Sequence, residues 1–215
     1  GLKQGLPFFL GGLDHHVSAI GAGLPYSRNI SESTGTVLAC VSYVDKYLPQ
    51  PQICIAHGLD DNHYFQVAFD ENGAVSLEWY QKNYAPEFSI PELLEMAAKI
   101  DMGSEGLVAK PCVFNFEGLT GFAHVTHLHQ HGHFIRAILE STSLSLSKLL
   151  MSLPGRKGSE GVVSTGGGAK SRLWVSIKAD MLGTSFFIPE CSETACLGAA
   201  MLGAVGVNEF DNVDD

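Results

Sequence analysis

The sequence predicts an α/β fold with one long insertion. Three features carry that expectation: short apolar strand patterns near the amino end, a long helical period from Gly132 to Pro154, and a closing run of strand, glycine turn, helix, strand and helix. At 215 residues the chain suits one large domain or two small ones, and no internal repeat or linker divides it. One domain over residues 1–215, with an insertion near residues 76–133, is expected.

The elements follow in order. Leu6–Leu10 has the pattern of a short strand that ends at Gly11-Gly12, and His15–Leu24 is small and apolar, as in a tightly packed helix. Thr36–Tyr43, Gln52–Ala56 and Tyr64–Phe69 read as strands, the last two separated by the turn composition Gly58–Asn62. Ser89-Ile90-Pro91-Glu92 has capping-box spacing with proline in the first turn, ahead of Leu93, Leu94, Ala97 and Ile100 on one face. Ile135, Ile138, Leu139, Leu146, Leu149, Leu150 and Leu153 make one helical stripe that Pro154-Gly155 ends. The Ser/Leu alternation over 143–147 taken alone suggests a strand, but length and the flanking period favour helix. Gly161–Thr165 is a strand entering Gly166-Gly167-Gly168, and a helix follows with Leu173, Trp174, Ile177 and Met181 on one side. Phe186–Pro189 is a short strand, and Thr194–Val207 a final helix containing Gly198, Gly203 and Gly206. Each interior glycine costs about 1 kcal/mol against alanine, so a backbone must approach closely there.

Composition narrows the function. A formal net charge of −10 argues against a nucleic-acid surface, which needs clustered Lys and Arg. Nucleotides remain compatible, since local backbone donors and helix dipoles hold them whatever the global charge. The five cysteines are scattered without a CxxC pair, and read as thiols of a reducing compartment. With no basic-then-apolar leader at the first residue, the cytoplasm is expected. The longest apolar run, Ala195–Val207, is too short and glycine-rich to span a bilayer.

Three segments offer chemistry. Gly166-Gly167-Gly168-Ala169-Lys170-Ser171 lies between a strand and a helix, where bare backbone and a helix amino end form a phosphate cradle in principle. A plain strand–helix turn explains it equally well. Asp14, after Gly11-Gly12, can accept a proton from an alcohol or simply cap a helix. Ser33-Thr34-Gly35-Thr36 opens a strand as a phosphate-contacting hairpin or as an ordinary turn. A fourth group, His124, His127, His129, His131 and His133, is dense enough to suggest zinc or nickel, and on an extended segment the last four share a face.

The succession GG-x-Asp, Gly-Thr, Arg136-Ala137-x-x-Glu140, GGGAKSxLW and Leu197-Gly198-Ala199-Ala200 resembles the second domain of the FGGY carbohydrate kinases, which include glycerol, xylulose, fuculose and gluconate kinases. The resemblance runs from Gly1 to about Val207 and is loose between Ser76 and Glu117. It implies a ribonuclease-H-like domain of the actin-like ATPase superfold: a mixed sheet flanked by helices, with ATP and sugar bound against a second domain. Asp14 matches the carboxylate that receives the proton of the sugar hydroxyl. Gly35 and Thr36 match the loop near the phosphates, and Gly166, Gly167 and Gly168 the loop under the adenosine. Lys170 adjoins that loop, and Glu193 and Gly198 match a segment supporting the same pocket. Val37 stands where the family usually has Ser or Gly, and Lys170 where some members have Asn or Arg.

The family's amino-terminal sugar-binding domain has no counterpart in this sequence, so the chain alone is expected to be inactive. The exposed cleft face would leave apolar surface for self-association, a homodimer being the simplest form. The implied ligands are ATP, Mg²⁺ and a sugar or polyol, with no nucleic acid, no membrane and no protein-bound metal site. In the family context the histidines cap, pack or face solvent. An actin-like nucleotide module without phosphotransfer is the alternative, and Asp14 argues against it, because a switch needs no base beside a sugar.

Overall fold

The computed structural model describes residues 3–156 and 160–213. Along the chain, α1 (Asp14–Gly21) precedes two strand pairs, β1 (Ile30–Thr34) with β2 (Leu38–Val44) and β3 (Cys54–His57) with β4 (Tyr64–Asp70). An insertion follows: α2 (Val75–Tyr84), α3 (Ile90–Ala97) and the two-residue strands β5 (Val108–Ala109) and β6 (Phe122–Ala123). The long α4 (His131–Ser152) leads back to β7 (Val162–Thr165), the single turn α5 (Gly166–Ala169) and α6 (Arg172–Leu182). β8 (Phe186–Phe187) and α7 (Thr194–Gly206) complete the order.

The main sheet runs β3-β4-β2-β1-β7-β8. β1, β2 and β4 pair antiparallel with β3 outside them, whereas β7 lies parallel to β1 and β8 parallel to β7. This is the mixed sheet flanked by helices that the sequence led one to expect.

Strand alternation divides the core. Val41, Tyr43, Phe65, Val67 and Val163 face α1 and α7, with Ala19, Ile20 and Leu24 against them. Ile30, Leu38, Cys40, Ala68 and Val162 face the other way, onto Leu146, Leu150 and Leu153 of the α4 segment. A third cluster joins α4 and α6 to the insertion through Ile135, Ile138, Trp174, Ile177, Leu93 and Phe122. The insertion is also tied down by polar contacts. Arg136 donates to Glu140 at 2.8 Å and to the Ile100 carbonyl at 3.1 Å, and Glu140 accepts from the Gly103 N–H at 2.9 Å.

The expected capping box is present, with Ser89 and Glu92 reciprocating across the start of α3. The Ser/Leu alternation lies inside α4, on the helix side of the ambiguity. Two expectations change. Leu6–Leu10 is not a strand: it pairs with no strand among the described residues, and Phe8 and Leu10 are 88% and 92% exposed. β1 is a strand that the apolar pattern did not announce, because its sequence is Ile-Ser-Glu-Ser-Thr.

Small residues let α7 seat on α1. A Cβ added at Gly198 would lie 2.0 Å from the Val17 carbonyl, and one at Gly21 would lie 2.0 Å from the Thr194 carbonyl. The crossing is closed by a 2.7 Å hydrogen bond between the Ser18 and Thr194 hydroxyls. Gly198→Ala is therefore expected to force the helices apart and lower stability by about 3 kcal/mol, the upper end of ordinary overpacking losses. Urea denaturation checks this, and wild-type stability in the variant would show that the crossing tolerates a methyl group.

Candidate functional site

The carboxyl ends of β1 and β7 lie side by side, with Glu32 opposite Ser164 and Ser33 opposite Thr165. The next residue of β1 is Thr34, from which the Gly35-Thr36 turn departs, and the residue after Thr165 is Gly166. The two sequence-predicted glycine segments thus meet at one end of the sheet.

Their contact is close. Gly166 has φ +76°, and a Cβ there would stand 2.9 Å from the Ser33 hydroxyl and 3.0 Å from the Thr34 carbonyl. At Gly168 a Cβ would lie 2.7 Å from the Thr34 Cβ. Gly167 differs: it is exposed, its φ is not in the left-handed region, and an added Cβ meets only the Thr34 carbonyl at 3.7 Å. The outer glycines seat the loop and the middle one faces open space. Lys170 is exposed and donates its N–H to the Gly167 carbonyl at 3.2 Å, closing the α5 turn. Ser171 caps α6 through the Trp174 N–H at 3.2 Å.

The Gly35-Thr36 turn is braced from behind. The Ala74 N–H donates to the Gly35 carbonyl at 2.7 Å, and a Cβ on Gly73 would come within 2.4 Å of the Thr36 carbonyl. Asn72 fixes that brace: its side chain reaches Ser141, Ser145 and Ser76 and accepts from the Cys112 N–H. Thr36 and Val37 remain exposed at the tip.

Beneath both loops lies a buried polar network that sequence reasoning did not anticipate. Lys178 of α6, 1% exposed, donates to Glu32 at 2.7 Å and to the Thr34 hydroxyl at 2.8 Å. Glu32 also accepts from Thr34 at 2.7 Å and from Ser164, while Thr165 donates to the Glu32 carbonyl at 2.9 Å. Cys40, opposite Glu32 on β2, has its thiol pushed well up by burial and by that carboxylate, so it stays protonated and unreactive. The missed signal was a lone Glu in a polar run and a lone Lys in an amphipathic helix, each of which reads as solvent-facing.

Asp14 is the first residue of α1, and the capping position is Leu13, so the simple N-cap role does not apply. Its carboxylate accepts from the His15 N–H at 2.9 Å. The His15 ring packs edge-on to Phe69 at 5.1 Å, which places this end of α1 at the Phe69 end of β4. Phe69 pairs with Ala39, so it is also the end that carries the Gly35-Thr36 turn. Asp14 lines a cavity of about 520 Å³ with Phe9, Gly12, Cys196 and Ala199. His16 instead turns inward and stacks on Phe65, and burial lowers its pKa.

Glu193 is exposed at the capping position of α7. Gly198, expected in a segment that supports the nucleotide pocket, lies at the α1 crossing, where an added Cβ would meet the Val17 carbonyl. The histidines do not share an extended face, since α4 begins at His131. His131 pairs with the Tyr80 hydroxyl, and His129 and His133 accept backbone N–H groups from Thr126 and Gln130. Among the described residues no three His, Cys, Asp or Glu side chains converge as a metal site.

Comparison with known proteins points to carbohydrate kinases. Residues 116–207 match the C-terminal domain of the FGGY family of carbohydrate kinases. The chain is 28% identical over 232 residues to the xylulose kinase of Bacillus subtilis (strain 168), covering all of this chain and 45% of that protein. It is 26% identical to the gluconokinase of the same organism, covering 46% of it. The xylulose kinase structure from Rhodospirillum rubrum superposes with a TM-score of 0.78 at 25% identity, over 96% of this chain and 44% of that one. The chain spans less than half the length of each relative.

The two exposed-versus-packed glycines make separable variants. Gly166→Ala is expected to destabilise the fold, since it combines a positive φ with contacts below 3.1 Å. Gly167→Val is expected to leave the melting temperature intact and remove ADP binding in titration calorimetry. A folded Gly167→Val protein with unchanged affinity would overturn the expectation that this loop lies under the adenosine.

Proposed function

We propose that this chain carries the carboxy-terminal domain of the FGGY family of carbohydrate kinases and is the nucleotide-binding half of an ATP-dependent sugar kinase. Residues 1–215 form one such domain, and the sugar-binding domain lies outside this sequence. The observation that supports this most is the meeting of the Gly35-Thr36 turn with Gly166–Gly168 across Thr34.

Phosphoryl transfer to an alcohol asks a protein mainly for positioning and charge stabilisation. The Gly35-Thr36 turn presents the Thr36 hydroxyl to the phosphates, and the open face of Gly167 admits the adenosine. Lys170, at the mouth of that loop, lies beside the ribose and adenine. Glu193 and Gly198 act less directly, by setting α7 against α1. Asp14 orients the acceptor hydroxyl and takes its proton, the role for which its place on the cavity wall suits it. Mg²⁺ fits the oxygen donors at this end, the Thr36 hydroxyl and the Asp14 carboxylate, through its water shell, and when bound it neutralises phosphate charge.

A nucleotide module without transfer would have the same glycine platform but no use for a carboxylate on that wall. The acceptor is a ketose, polyol or aldonic acid, and the compartment is the cytoplasm.

In the intact protein carrying this chain, Asp14→Asn is expected to cut turnover by roughly 10²- to 10⁴-fold, the range for a lost positioned base, with ADP affinity little changed. Steady-state assay over a panel of ketoses, polyols and aldonic acids with ATP and Mg²⁺ checks it, and full activity in the variant would remove Asp14 from the mechanism. The 215-residue chain assayed alone is expected to transfer no phosphate to any of the panel. It spans under half of its kinase relatives and so lacks the opposing wall. Turnover by the chain alone would overturn the two-domain account.

A further inference from the structure

Lys178 is among the largest fully buried side chains of the described residues. An ammonium withdrawn from water is expensive unless paired and hydrogen-bonded, and here it is both. Its place is specific as well as buried. Of its two acceptors, one is Glu32 and the other is the hydroxyl of Thr34, the last residue of β1 before the Gly35-Thr36 turn. Thr34 is held on that oxygen from two sides, because it also donates to Glu32 at 2.7 Å. Its methyl side meets Gly168, where an added Cβ would stand 2.9 Å from Cγ2. One side chain is thus gripped through its hydroxyl and pressed against the second glycine loop through its carbon face.

We propose that Lys178 is the positioning residue of the nucleotide platform: through Thr34 it sets the seat of Gly168 against the Gly35-Thr36 turn, and with it the spacing of the two loops that hold ATP. The inference rests on the nucleotide site proposed above. Lys178 itself is sealed under the loops and touches no ligand. Its effect is on nucleotide geometry, since loops misplaced by even 1 Å can lose about 10²-fold in rate.

A purely structural ion pair makes a different forecast, and three variants of the intact protein separate the two. Lys178→Met strands Glu32 and is expected to lower both the melting temperature and ADP affinity. Glu32→Leu/Lys178→Met removes the stranded charge, so stability returns, as apolar replacement of buried pairs often allows. ADP affinity, by calorimetry, is expected to stay down by about tenfold or more in this double variant, within the loss that loop misplacement can cause. KM for ATP rises in step while KM for the sugar stays level. Thr34→Val keeps the shape, removes the hydroxyl grip, and is expected to reproduce the affinity loss at near-normal stability. Affinity that recovers together with the melting temperature in the double variant overturns the proposal, as does wild-type affinity in Thr34→Val. Wild-type protein that binds no ADP overturns the nucleotide site and this inference with it, whereas wild-type binding with unaffected variants overturns the inference alone.

Discussion

The parallel pairing of β1 with β7 is the constraint from which the rest of the site follows. A hairpin cannot make such a pair; the chain must leave β4, build the insertion, and return along α4 before β7 can lie beside β1. Once the two strands are parallel, their carboxyl ends open at the same edge of the sheet. The turn after β1 and the loop after β7 then become neighbours without being neighbours in sequence. Ligands collect at such edges because backbone donors and helix amino ends point outward there. The Glu32–Lys178 pair clamps this junction from inside, drawing donors from β1, β7 and α6 onto one carboxylate.

Legibility in the sequence tracked how each element meets its surroundings. β2 and β4 are apolar runs in the sheet interior and were readable to within a few residues. α4 was readable over its whole length because one stripe of Ile and Leu serves both the sheet and the insertion. β1 was not, because its buried positions are Ser, Glu and Thr, and only tertiary partners on β7 and α6 make those groups acceptable inside. Leu6–Leu10 failed for the opposite reason: its pattern is that of a strand, but it pairs with no strand among the described residues, and a strand without a ladder is not stable.

The site divided along the same line. Glycine loops announce themselves through composition, so Gly35 and Gly166–Gly168 were recoverable before any coordinates. Lys178 and Glu32 carry no such mark, since a single charge in a short window looks like surface. Gly198 was legible as a place of close approach, though the sequence did not say what approaches it. The glycines of α7 do admit a close backbone, and at Gly198 that backbone is α1. The crossing also fixes the helix that begins at Asp14.

The buried pair also locks register. Ile30, Glu32 and Thr34 share one face of β1 with the α4 and α6 side chains, while Val163 and Val41 line the other face with α1 and α7. A slip of one residue between β1 and its neighbours would turn Glu32 onto the α1 face, among Ile20, Ala22 and Val163. Those neighbours are apolar, so the carboxylate would lose the Lys178 ammonium and lie in an apolar layer, and Lys178 would be stranded opposite it. Unpaired buried charges of this kind cost several kcal/mol each, a large share of the roughly 5–15 kcal/mol by which a domain is stable. Apolar strands tolerate such slips far better, because valine and isoleucine satisfy either face. A polar strand at the centre of the sheet therefore gives what an apolar one could not: a single alignment of β1 with β7, and with it a single relative position for the two glycine loops.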